Sequence, residues 1–195
     1  MTLGNNCVSF IFDEIRYELN GVEIDHNRNV GIISTLKNYV TVSSDNSVIL
    51  RNASWDAQTT AARYFISVYL YVLLGFCEDY KRVMINSNAH HELILIRARN
   101  DNNCLTGDLA TELTLELFKV QWRMPHVLLS EINKLLMLRT LESGRYLSMT
   151  FRSWDLYEFP QSTTKHSWAI KTVTQLEKPR YVIFAMQTGR KNRHV

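Results

Sequence analysis

Apolar and polar residues alternate with a period of two along much of this chain, as in strands with one face turned to a core. Val8, Phe10 and Phe12 share one side of such a run, and Ile15, Tyr17 and Leu19 share one side of the next. Asn20-Gly21 follows at once, and Val22 and Ile24 resume the alternation. A type I′ turn needs positive φ at both central positions, so this dipeptide between alternating runs predicts a hairpin. Further strands are expected at 39–43, 47–51, 64–74, 82–86 and 92–99. Both faces of Leu93-Ile94-Leu95-Ile96 are apolar, which predicts a strand covered on both sides.

Leu113, Leu115 and Leu117 alternate cleanly, and Val120, Trp122 and Met124 continue in the opposite phase. The slip at Phe118 has the form of a β-bulge. One long helix is expected between Ser130, which can cap it, and Gly144, which can end it. Ile132, Leu135, Leu138 and Leu141, with Leu136 beside them, give that helix an apolar face. Shorter helical turns are expected near 32–38 and 76–81. Strands return at 146–151, 156–159, 166–173 and 180–187. Many short strands around one sure helix predict a mainly β protein, a sandwich or a barrel.

Composition narrows the function classes. The 195 residues match one ordinary domain, and a hydrophobic share of 46% suffices for a proper core. The 22 basic and 19 acidic residues leave a charge of +3, too balanced to make nucleic acid the default partner. The most apolar stretch, Tyr64 to Phe76, is too short for a bilayer span, which needs roughly 20 residues. The first six residues hold no basic side chain and no apolar run, so no signal peptide is expected there. Cys7, Cys77 and Cys104 show no zinc-type spacing and are read as free thiols in a reducing compartment. Asn52-Ala53-Ser54 is a formal glycosylation sequon, read as a chance match.

Candidate chemistry is sparse. None of the seven glycines falls in a dinucleotide fingerprint, a P-loop or a nucleophile elbow. His90-His91-Glu92 has metal-binding residue types, but neighbouring side chains in a strand point to opposite faces. His166 and Trp168 share a strand face, where packing is the expected role. The acidic pairs Asp13-Glu14 and Glu78-Asp79 are read as solvated turn positions. The aromatic residues are read as core and cross-strand pairs. Gly189-Arg190-Lys191-Asn192-Arg193-His194 is too short a basic run for more than weak phosphate contact. These patterns supply no catalytic, cofactor-binding or metal-ligating set.

Several segments go beyond pattern. Phe12 to Asp25 (FDEIRYELNGVEID), followed by Asn29-Val30-Gly31-Ile32, resembles the opening hairpin of double jelly-roll-like proteins. Leu74 to Tyr80 (LGFCEDY), His91 to Arg97 (HELILIR), Met149 to Trp154 (MTFRSW) and Lys178 to Ile183 (KPRYVI) resemble the same family in the same order. Gln187-Thr188 and Arg190-Lys191-Asn192 close the set. These proteins occur in arthropod and other animal genomes and look related to the major capsid proteins of Polinton-type (Maverick, adintovirus) elements.

The resemblance implies an antiparallel jelly-roll sandwich, mainly β with one short helix. It implies a structural capsid-type protein that self-associates into trimers, or pseudo-hexameric capsomers, and tiles a shell. It brings no catalytic residue, no cofactor, no metal, no specific nucleic acid and no membrane span. It implies a place in the virion for a viral product and an intracellular one (cytoplasm or nucleus) otherwise. Two jelly rolls need about sixteen strands, more than this length holds. Residues 1–188 are therefore expected to form one jelly roll, the first of a pair, with 189–195 a basic tail or linker. The competing expectation is a host jelly-roll module holding a glycan or protein through aromatics such as Tyr157, Phe159 and Trp168. An enzyme of the cupin sort needs inward histidines at metal-binding spacing, which six scattered histidines do not supply.

Overall fold

The computed structural model describes residues 2–55, 66–79, 89–106, 114–145, 150–159 and 179–186. The expected strands at 82–86 and 166–173, the His166/Trp168 pair and the basic tail lie outside the described residues.

The chain opens with a short strand, β1 (Thr2–Leu3), and a five-residue helix, α1 (Cys7–Ile11). A hairpin follows, β2 (Phe12–Leu19) and β3 (Val22–Arg28). Three helices come next: α2 (Val30–Thr41), α3 (Ser44–Leu50) and a 3-10 turn at Arg51–Ala53. After these come α4 (Leu70–Leu73), α5 (Gly75–Asp79), β4 (His91–Arg97), β5 (Leu105–Thr106) and α6 (Glu131–Glu142). Among the described residues two antiparallel sheets result, β3-β2-β4 and β1-β5. Helix accounts for 35% of these residues and strand for 19%, so the mainly β expectation is corrected to a mixture of helices and two small sheets.

The hairpin forms as expected. Asn20 (φ 51°) and Gly21 (φ 75°) make the turn with positive φ at both positions. Tyr17 pairs with Asp25 and Glu18 with Glu23, so Ile24 bulges out of β3 and packs against the core. A second irregularity sets Asp13 between the Phe12–Arg97 and Glu14–Ile96 pairs. The bulge expected at Phe118 is not there: residues 114–124 belong to no ladder. They still run past β4 in the opposite direction, with Leu115 held near Asp101 and Arg97, and Trp122 edge-on to Tyr17.

Three expected strands are helical instead. Residues 7–11 coil because Asn6, in the left-handed region at φ 56°, turns the chain. Its amide then donates to Ser34 and Thr35 and accepts from Ser9, a buried network no period-2 count registers. Residues 39–41 end α2. Residues 47–50 belong to α3, whose start is capped by the Ser43 hydroxyl accepting from Asn46 N–H. The 64–74 run, where described, is irregular up to α4. Residues 150–159 and 179–186 form no ladder either. Helix α2 outgrows the short turn expected of it because Val30, Ile33, Ser34, Lys37 and Asn38 line one buried side. A Cβ on Gly31 would run into the Phe10 ring, so glycine lets α1 and α2 touch.

The main core lies where the inner face of the three-stranded sheet meets α2, the α4–α5 corner and the 50–55 turn. Ile15, Tyr17, Val30, Leu50, Trp55, Val72, Leu73, Leu74 and Phe76 fill it. Leu93 and Leu95 pack against it, whereas on the other face Ile94 is half-buried and Ile96 exposed, so among the described residues the cover expected on both sides is incomplete. A second small cluster joins Leu3, Cys7, Ile11 and Cys104. The expected helix at Ser130–Gly144 is present, with Ser130 at its N-cap and Gly144 at φ 73°. None of its residues is buried. Among the described residues no helix is long and apolar enough to cross a membrane.

Candidate functional site

Buried polar side chains converge on one place, the α4–α5 corner beneath the inner face of the sheet. Asp25 and Asn27 stand two apart on β3 and therefore share the inner face. The Asp25 carboxylate accepts from Phe76 N–H at 2.8 Å. Asn27 Nδ2 donates to the Leu73 carbonyl at 2.8 Å. Its Oδ1 is buried and has no hydrogen-bond partner among the described residues. From the other side, Lys37 on α2 donates to the Tyr71 carbonyl at 2.5 Å and pairs with Glu78 at 3.0 Å. Trp154 Nε1–H donates to the same Glu78 oxygen at 3.2 Å, and its ring faces the Lys37 ammonium. Three side chains from two elements thus hold residues 71–78 in a fixed bend.

The electrostatics follow from burial. Asp25 is 4% exposed. Desolvation lifts its carboxyl from 3.8 to about 6, against the pull of the Phe76 amide. Desolvation lowers Lys37, and Glu78 acts to raise it again. The half-buried Cys77 thiol is pushed up to about 11 by burial and then by Asp25, which makes it a poor nucleophile. On the same face Tyr17 pairs with Asp25 across the hairpin and stacks on the Phe76 ring, and its hydroxyl lies 2.7 Å from His91 Nδ1. This arrangement braces a corner with one charge pair and with hydrogen bonds to backbone groups.

The residues singled out in the sequence fall in different places. His91 faces the core at Tyr17, while His90 is exposed and lies 3.9 Å from Glu92. The two histidines have different partners, His90 lying just before β4 and His91 opening it. Among the described residues no group of three or more His, Cys, Asp or Glu side chains could hold a metal ion. The solvated-turn expectation fails for Glu14, which lies in β2 and pairs with Arg16 at 2.6 Å and Arg28 at 3.5 Å. Those bonds, that to Arg16 first, hold its carboxyl below the usual range. It fails for Glu78 as well, because α5 turns that carboxylate toward Lys37. Tyr157 and Phe159 are exposed. Ser54 of the sequon is buried, and its hydroxyl accepts from Val8 N–H.

Sequence reasoning missed Asp25, Asn27 and Lys37. Asp25 and Asn27 sat in an alternating pattern at positions that simply looked polar. Lys37 repeats the spacing of Val30 and Ile33 on the buried side of α2, a signal that a charged residue obscures.

No curated protein and no solved structure matches the chain. A family model described as the double jelly roll-like domain matches residues 1–195. The opening hairpin, its neighbour strand β4 and the full extent of that match agree with the motifs read in order along the sequence, and the chain belongs to the double jelly roll-like domain family.

Proposed function

We propose that this chain is a structural, capsid-type protein of the kind carried by Polinton-like elements, or a genome-resident derivative of one, with no catalytic role. It builds oligomers through its jelly-roll faces, as trimers or pseudo-hexameric capsomers. Membership of the family makes this reading compatible with the whole chain. The observation that carries it is the amount of apolar surface outside the core. Ile132, Leu135, Leu136 and Leu138 on α6 are exposed, and Leu128 before it is 97% exposed. Tyr181, Val182, Phe184 and Met186 are exposed as well. Exposed large apolar side chains in this number are what association sites present. An assembled protein covers such surface with its neighbours.

Light scattering after size exclusion, over a range of protein and salt concentrations, tests the reading. A trimer, hexamer or larger fragment of a shell is expected. A monomer at every concentration would remove self-assembly and bring forward a monomeric module that holds a glycan or protein. Exposed Tyr157 and Phe159 are the residues that would serve such a module.

A further inference from the structure

Two of the three cysteines share the small cluster at the start of the chain. Strand β1 pairs with β5, Leu3 opposite Leu105. The next residue, Gly4, donates its N–H to the Cys104 carbonyl at 2.8 Å. A Cβ on Gly4 would lie 3.3 Å from that oxygen, so the two backbones approach closely. Three residues on, Cys7 opens α1. Cys7 and Cys104 are 1% and 0% exposed and pack with Leu3 and Ile11. Cys77 lies apart from them, against the main core beside Asp25 and Lys37.

We propose that Cys7 and Cys104 are a dithiol pair that closes into a disulfide when the chain folds in the presence of a small-molecule disulfide, leaving Cys77 free. The step is an exchange with oxidised glutathione. One cysteine thiolate attacks a glutathione sulfur, the S–S bond breaks, and one glutathione thiolate leaves and takes up the proton. The second cysteine attacks the mixed disulfide and releases the second glutathione. Two protein thiols are oxidised and one glutathione disulfide is reduced to two thiols.

The packing determines when this occurs. Burial raises both thiols, Cys104 to about 12, so the closed cluster holds them protonated and unreactive. Exchange belongs to the folding chain, or to an opened state in which the two-residue β1 has left β5. The bond closes a loop of roughly 100 residues and constrains the unfolded chain accordingly. It staples the N-terminal strand and α1 to β5, and makes the redox state at folding a determinant of how firmly that end is held.

The test is refolding of the full chain in mixed reduced and oxidised glutathione, followed by alkylation and intact mass. The expected product is two hydrogens lighter and carries one alkyl group. A non-reduced digest of it joins the Cys7 peptide to the Cys104 peptide. Cys77→Ser retains the link, and Cys104→Ser loses it together with the rise in melting temperature under non-reducing conditions. Three alkylated cysteines after oxidative refolding, or a link that includes Cys77, overturns the proposal. Peptide mapping of the wild-type chain decides the matter even if a serine variant fails to fold.

Discussion

The ammonium of Lys37 and the carboxylate of Glu78 lie 3.0 Å apart, with the lysine side chain 5% and the glutamate side chain 20% exposed. A charge this far from water is held in place by its partner, and loss of the partner leaves it uncompensated. Glu78→Gln is therefore expected to destabilise the protein by about 2–4 kcal/mol in urea unfolding. A Lys37→Met, Glu78→Gln double variant, which removes both charges, should recover much of that loss. If the double variant is as unstable as the sum of the two single ones, the pair does not act as a unit.

Asp25 governs a pH dependence of opposite sense to that of ordinary surface carboxylates. Its folded pKa, about 6, lies above the unfolded value of 3.8, so the folded state binds the proton more tightly. The stability this group contributes is fully present below about pH 4 and is lost as pH rises to about 6. Asp25→Asn keeps an oxygen to accept from Phe76 N–H and removes the buried charge. It should raise stability at pH 7 by about 1–3 kcal/mol and change little near pH 4, as read by denaturant midpoints at each pH.

Glu14 behaves in the usual sense. Arg16 bonds its carboxylate and lowers its pKa below 4.5, so its contribution is present above that pH and lost in acid. Glu14→Gln should flatten the acid limb of the stability profile, with a small effect on stability at pH 7 because the network lies on the outer face.

Gly75 starts α5 against the carbonyl of Arg152, and a Cβ there would collide with that backbone oxygen. Gly75→Ala should cost about 2 kcal/mol or more, although alanine is the better helix former. The loss should appear together with weakened protection of residues 150–154 in hydrogen exchange, because that segment has to move away.

At the hairpin, Gly21 sits at φ 75°, and a Cβ added there would have nothing within 4 Å. Gly21→Val therefore tests backbone conformation alone, and a loss of about 1–2 kcal/mol is expected on thermal unfolding.

The hairpin, β4 and α6 were legible in the sequence because each depends on neighbours along the chain. Asn20-Gly21 sets the turn, alternation sets the strand faces, and Ser130 and Gly144 mark the helix ends. Only the tertiary structure decided the rest. Residues 7–11 alternate as a strand would, yet Asn6 turns them into a helix through bonds to Ser34 and Thr35, almost thirty positions away. A five-residue helix has little stability of its own, so such remote partners determine whether it forms. Asp25, Asn27 and Lys37 read as surface residues by type. They are buried because the α4–α5 corner presents Phe76 N–H, the Leu73 and Tyr71 carbonyls and Glu78 to them. A buried polar group is stable only when a partner meets it, and the partner's position is a property of the folded chain.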